Sequence, residues 1–163
     1  MCWTGQRYSD IEKIKREDIV KRNGDLYWEL ITSKTSEAIQ VPLLEYAVSI
    51  LDKYKDEKKP LPVVSNQKMN DHLKILGKKA DFNEAVKVIQ YFDGREQESY
   101  LPFYEVLTTH VARKSYITNS LTVGVPERVV REISGHKDEK SFARYVKLAE
   151  SYKNKVIQEA FSE

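Results

Sequence analysis

The chain has 163 residues, 40% of them apolar and 32% charged, with 27 Lys and Arg against 25 Asp and Glu for a formal net charge of +2. A chain of that length buries roughly 70% of its unfolded surface, and the balance is that of a helix-leaning globular protein rather than a disordered one. The single cysteine, Cys2, excludes an intrachain disulfide and a four-Cys zinc site. No apolar run reaches the length of about eighteen residues that spans a membrane, and the opening is not a secretory signal, so the expected location is the cytoplasm. Near-neutral charge leaves nucleic-acid binding to be decided by where the cations sit.

Taken in chain order, the first element is a short helix that Ser9 can cap, running through Ile11, Ile14 and Lys15. An apolar pair and a Thr-Gly turn directly after Met1 are unusual for a domain start and suggest structure upstream. Asp18-Ile19-Val20 then leads into Asn23-Gly24, the strongest short hairpin signal. Leu26, Trp28, Leu30 and Thr32 alternate with Tyr27, Glu29 and Ile31, and Ala38 to Val41 returns after a polar turn and is closed by Pro42. This predicts a three-stranded antiparallel meander with Lys34 at or near its second turn.

From Leu43 the period becomes helical. Leu44, Ala47, Val48, Leu51 and Tyr54 share one face. Pro60 and Pro62 end that region, and Ser65 opens another helix with Met69, Leu73 and Leu76 on one side and Gly77 near its end. Residues 80–105 are less regular, with a hairpin hinted by Val86 to Ile89 and Asp93-Gly94 and interrupted at Pro102. The last sixty residues read as helices: one capped by Thr108 or Thr109 and ended by Gly124, one from Pro126 to Ile133, one from about Asp138 carrying Phe142, Tyr145 and Val146, and one from Ser151 to Phe161.

Several chemistries have no support. There is no phosphate-binding glycine loop, no His-Glu-x-x-His and no Gly-x-Ser-x-Gly elbow. His72, His110 and His136 have no Cys or carboxylate at metal-ligand spacing, and His72 reads as structural. What stands out is a set of cations with one late tyrosine. Arg7 follows a Thr-Gly turn, Lys34 lies on a hairpin turn, and His110 and Arg113 are three apart on one helix face. Gly135-His136 comes next, and Tyr145 nine residues later.

Such a set suits phosphoryl transfer on a nucleic-acid backbone. Guanidinium groups offer bidentate, always-charged donors for the non-bridging oxygens. A phenol can be the nucleophile and conserve the phosphate bond covalently. A lysine can protonate the leaving oxygen and a histidine can move or orient protons. No metal or other cofactor is called for. Each residue alone also has a bland reading: a solvated surface cation, an edge-protecting lysine or a half-buried core tyrosine.

The ordered combination is more specific. Thr4-Gly5-Gln6-Arg7, Lys34-Thr35, His110-Val111-Ala112-Arg113, Ser134-Gly135-His136 and Tyr145 together resemble the catalytic domain of tyrosine recombinases of the phage-integrase and Xer type. The resemblance spans Thr4 to Tyr145. It implies an α+β fold, a helical body with a small three-stranded antiparallel sheet, formed by residues 1–163 as a C-terminal catalytic domain. The N-terminal DNA-gripping domain and the first catalytic-domain helix of the family are not in this stretch.

The resemblance further implies that Arg7 and Arg113 clamp the scissile phosphate, that Lys34 is the general acid for the leaving 5′-oxygen, and that His110 handles protons. His136 would hydrogen-bond the phosphate, Tyr145 would form a 3′-phosphotyrosyl bond, and Asp10 would buttress the site. Ser134 stands where the family usually has Leu, a change expected to carry little mechanistic weight. The implied activity is site-specific DNA recombination or integration without cofactor. The implied partners are double-stranded DNA and other recombinase protomers, a tetramer on DNA, with no membrane and no small-molecule substrate. The implied origin is a bacterium, a phage or a mobile element. The helix after Tyr145 would pack on a neighbouring protomer or fold back on its own chain. The rival readings are type IB topoisomerase-like relaxation, a DNA-binding module without catalysis, and an unrelated α+β domain with basic decoration.

Overall fold

In a computed structural model that describes residues 1–34 and 36–161, the order of elements is α1 (Tyr8–Ile11), a 3₁₀ turn (Arg16–Asp18), β1 (Ile19–Arg22), β2 (Asp25–Ile31), β3 (Ala38–Pro42), α2 (Glu45–Lys53), α3 (Asn66–Lys79), β4 (Ala85–Phe92), β5 (Arg95–Pro102), a second 3₁₀ turn (Phe103–Val106), α4 (Thr109–Thr122), α5 (Glu127–Ser134) and α6 (Glu139–Ala160). The class is α+β. The chain divides into two compact units, one of residues 1–63 with 112–163 and one of residues 64–111.

In the first unit, β1, β2 and β3 form the antiparallel meander that the alternation predicts, in the order β1-β2-β3. Asn23 and Gly24 both have positive φ, 50° and 95°, the backbone that a two-residue hairpin turn with the right twist requires. The alternation places Trp28 opposite Val41 and Leu30 opposite Ile39. Trp28, Ile39, Val41, Leu43 and Ala47 form one core, with Ile11, Ile14 and Ile133 packed against it. The second core joins α4, α5 and α6 through Ile117, Leu121, Val130, Phe142, Tyr145 and Ala149. The helical spacing of Phe142, Tyr145 and Ala149 puts all three on the buried face of α6.

The first and last helices differ from expectation, and α1 ends at Ile11, short of Ile14 and Lys15. Ser9 does not cap α1. Arg7, in extended backbone, flanks the helix, and Ser9 lies inside it with its carbonyl accepting from Ser33 Oγ. The final two helices are one. Asp138 caps α6 through bonds from the Lys140 and Ser141 amides, and no Gly or Pro between there and Phe161 interrupts it, so Ser151 sits mid-helix, exposed.

The unit of residues 64–111 holds α3, the β4–β5 hairpin and the second 3₁₀ turn. Ser65 caps α3 as its sequence suggests. Gly77 lies near the end of α3, as expected, with Ala80 as the closing residue; it is buried, and a Cβ there would meet Leu107 Cδ1 at 2.4 Å. The hairpin is regular over its whole length, with Asp93 and Gly94 both at positive φ. Pro102 ends β5 rather than breaking the pair, because a strand end needs no ladder donor.

Candidate active site

The centre of the site is Arg113, on α4 and only 3% exposed. Its Nη1 donates to the Gly5 carbonyl at 2.7 Å and its Nη2 to the Ser134 carbonyl at 2.5 Å. Nη2 also lies 3.2 Å from His136 Nδ1. One buried guanidinium thus joins the Thr-Gly turn before α1, the end of α5 and the residue after Gly135. Gly135 can terminate α5 in the left-handed conformation, with φ at 64°, and this turn brings His136 back under Arg113. Burial, then the like charge of Arg7, lowers the Arg113 pKa to about 10, while Tyr145 and the Asp10 carboxylate act the other way. Arg113 therefore stays charged at neutral pH.

His136 carries the strongest signature of the site's field. Burial first, then Arg113, Arg7, Arg144 and Arg131, push its pKa down from 6.5 to about 4. Arg113 lies against the imidazole and the other three guanidinium groups add positive charge around it, although Arg131 is also paired with Glu139, and a field of that sign favours an anion. The His136 ring packs edge-on against Phe142 and Tyr145, with centroids 5.3 and 5.9 Å away.

Tyr145 is buried in the helical core. Its hydroxyl oxygen accepts from Arg144 Nη2 at 3.1 Å, and the Arg144 guanidinium lies 4.9 Å from the ring centre. Asp10 is 3% exposed, and its Oδ1 accepts from the Ser33 amide at 2.8 Å. Arg7 is half-buried. Four buried side-chain atoms of this segment, Thr4 Oγ1, Gln6 Oε1, Arg7 Nη1 and Asp10 Oδ2, have no hydrogen-bond partner among the described residues. Such unpaired atoms cost free energy, and their concentration marks a site organised around something other than its own stability.

The structure therefore brings Arg7, Asp10, Arg113, His136 and Tyr145 together. Lys34 is exposed in the turn joining β2 and β3, directly after Ser33, and no hydrogen bond or ion pair among the described residues ties its ammonium to the cluster. Thr35, beside it, lies outside the described residues. His110 is exposed in the first turn of α4 and belongs to the 64–111 unit, three positions before Arg113 on the same helix. Among the described residues no group of three His, Cys, Asp or Glu side chains could hold a metal ion, and no helix is long and apolar enough to cross a membrane.

Some contributors escape the sequence reading. Gln6 is fully buried, and its Nε2 donates to the carbonyls of Thr4 and Ile133 at 3.0 and 2.7 Å, pinning the turn to α5. Arg144 and Arg131 add to the field on His136. Arg144 could have been suspected from its place beside Tyr145; nothing in the pattern marks Gln6. Ser134 carries more weight than a replaced Leu suggests. It is fully buried, its Oγ lies 2.8 Å from His136 Nδ1 and 2.6 Å from the Val130 carbonyl it donates to, and its own carbonyl holds Arg113.

The fold is similar to several solved structures. XerA recombinase aligns at 19% identity over 99% of this chain and 56% of that one, with a TM-score of 0.64. XerH site-specific recombinase, bound to a palindromic difH substrate in a post-cleavage complex, aligns at 15% identity over 96% of this chain and 42% of that one, with a TM-score of 0.68. The Tn1549 transposon integrase in complex with circular intermediate DNA aligns at 15% identity over 88% of this chain and 50% of that one, with a TM-score of 0.57. The chain spans about half the length of these structures, and at such identities the likeness is one of fold. No curated protein sequence matches it significantly. The model of the phage integrase family matches residues 1–151; the chain belongs to the phage integrase family.

Proposed function

We propose that this chain is the catalytic domain of a tyrosine-type site-specific recombinase, cutting and rejoining DNA through a 3′-phosphotyrosyl intermediate. Tyr145 Oη attacks the scissile phosphorus, a new P–O bond forms to the tyrosine, and the bond to the 5′-oxygen breaks. The tyrosine proton leaves to a base, with His110 as the group that handles it. Lys34 gives its proton to the departing 5′-oxygen. Arg7 and Arg113 bind the non-bridging oxygens as their charge grows, His136 adds a hydrogen bond, and Asp10, which accepts from the Ser33 amide, buttresses the site. The 5′-hydroxyl of a second strand then reverses the reaction and rejoins the backbone.

The observation that carries this reading is the placing of buried Arg113 between the Gly5 and Ser134 carbonyls and against His136, whose ring meets that of Tyr145. Burial first, then the charges of Arg113, Arg7, Arg144 and Arg131, keep the imidazole beside the Tyr145 ring neutral down to about pH 4. The arginine share of that effect is what favours an anion such as a phosphate. Family membership supplies the reaction class. The assembly partner in this reading is a tetramer of recombinase protomers on double-stranded DNA, and the setting is the cytoplasm of a bacterium or the life cycle of a phage or mobile element.

The test is incubation with a nicked duplex whose cleaved end diffuses away and cannot be rejoined. A covalent protein–DNA adduct that maps to Tyr145 is expected. An adduct on any other of the ten tyrosines, or none at all, would overturn the assignment.

A further inference from the structure

The turn that carries Lys34 is fastened on both of its limbs. On the β2 side, the Ser33 amide donates to buried Asp10 Oδ1 at 2.8 Å, its hydroxyl donates to the Ser9 carbonyl at 3.4 Å, and it receives Lys13 Nζ at 3.0 Å. Ser33 is thereby bound to α1, the helix that Arg7 flanks. On the β3 side, the Glu37 carboxylate pairs with Lys137 Nζ at 2.8 Å, and Lys137 directly follows His136. Between the limbs, Thr32 and Glu37 close the turn with backbone and hydroxyl bonds of 2.8 and 3.1 Å. Thr32 Cγ2 also packs 3.5 Å from where Gly135 would carry a Cβ.

From this geometry we infer that Ser33 and Glu37 are positioning residues for Lys34: they fix the hairpin turn to the two segments that carry Arg7 and His136, and so set where the lysine ammonium meets the leaving oxygen. The inference rests on Lys34 being the general acid. A lysine side chain reaches about 6 Å on freely rotating bonds and loses up to 2 kcal/mol of rotamer freedom when held. Its delivery to one oxygen therefore depends on where its backbone is held. Ser33 and Glu37 touch neither phosphate nor tyrosine. They act on one proton transfer and leave the attack step alone.

The experiment uses that separation. Cleavage by this chain is followed on two nicked duplexes, one with the natural 5′-bridging oxygen and one with sulfur in its place. In the sulfur substrate the P–S bond breaks and the thiolate departs with its electron pair, needing no proton. Ser33→Ala, which keeps the amide bond to Asp10 but loses the hydroxyl's bonds to the Ser9 carbonyl and Lys13, and Glu37→Gln are each expected to slow cleavage of the oxygen substrate by roughly threefold to tenfold, the range over which one net hydrogen bond acts. Both should cleave the sulfur substrate at the parent rate at saturating DNA, with KM for DNA unchanged in Ser33→Ala. Lys34→Ala should show the same pattern, larger. Thermal unfolding of each variant checks that the fold is retained.

Equal slowing of Ser33→Ala and Glu37→Gln on both substrates would overturn the inference, since it would mean general damage to the site. So would full activity of both variants on the oxygen substrate. A Lys34→Ala defect that sulfur fails to relieve would instead remove the general-acid assignment itself. A parent chain that cuts neither substrate would remove the whole functional reading.

Discussion

Arg113 Nη1 donates to the Gly5 carbonyl at 2.7 Å, so the guanidinium of α4 and the turn that leads into Arg7 are one structural piece. Gly5 is suited to that contact in two ways. Its φ is +65°, and a Cβ would stand 2.5 Å from Tyr116 Cδ1. Gly5→Ala therefore meets both left-handed strain and an aromatic ring that must move. We expect a stability loss of about 2–5 kcal/mol, from roughly 1–2 for the backbone and 1–3 for the overpacking. Denaturant unfolding measures it; a loss under 1 kcal/mol would mean that Tyr116 gives way freely.

Arg113→Lys keeps the charge and loses the fork. One ammonium cannot reproduce the two-armed bridge between the Gly5 and Ser134 carbonyls. Cleavage should fall by about 10²–10³-fold, the range for removing a preorganised anion-stabilising donor, with DNA affinity within a few-fold of the parent. Arg113→Ala should in addition unfold more easily, since both buried carbonyls lose their donor at about 1–3 kcal/mol each. Single-turnover cleavage set beside equilibrium binding separates these effects.

Tyr145→Phe should abolish the covalent adduct while leaving binding and stability nearly unchanged. The ring keeps its place against Phe142 and His136, and the bond lost is the one from Arg144, whose exposed guanidinium replaces it with water at about 1 kcal/mol or less. Gel analysis of the adduct and a thermal melt decide it.

Much of the site is legible in the sequence because it lies in short segments with strong local rules. Asn23-Gly24 demands the hairpin that places Lys34 on the following turn, and alternation through Trp28 and Thr32 sets which face is buried. Arg7, Arg113, His136 and Tyr145 are found by order and spacing. What the sequence hides is the set of partners that hold them. Gln6 reaches Ile133 across 127 positions, and Ser134 acts through both its carbonyl and its hydroxyl, a role no residue type signals by itself. Ser9 fails as a cap because α1 begins at Tyr8, directly after the extended Arg7, so Ser9 already lies within its first turn.

The depressed pKa of His136 makes a prediction about acid stability. The unfolded chain takes up a proton at this residue near pH 6.5, and the native chain resists it until about pH 4. Between those values the unfolded state binds more protons, so stability is full above pH 6.5 and falls as pH drops through the window. Unfolding midpoints measured from pH 7.5 to 4.5 should decline more steeply for the parent than for His136→Asn, which has nothing to titrate there. Parallel curves would mean that the imidazole is as free to protonate in the native state as in the unfolded one.

Binding of DNA by this chain should depend steeply on salt. The net charge of +2 gives little long-range attraction, so affinity must come from a local basic face. Arg7, Lys34 and Arg113 contribute to it, with the exposed neighbours Lys114, Lys137 and Lys140. Each phosphate neutralised adds about 0.9 to the slope of log affinity against log salt, so roughly four to six contacts imply a slope near −4 to −5. Contacts of this kind position a protein on the duplex without reading bases, and specific and random duplexes should bind alike. Lys137 is also committed to Glu37, so Glu37→Gln should release one cation and steepen the slope by up to about 0.9. A titration of affinity from low to physiological salt, run on both duplexes with parent and variant, measures all three quantities. Salt-resistant, sequence-selective binding by the chain alone would mean that it reads base edges directly, and the account of a purely electrostatic face would fail.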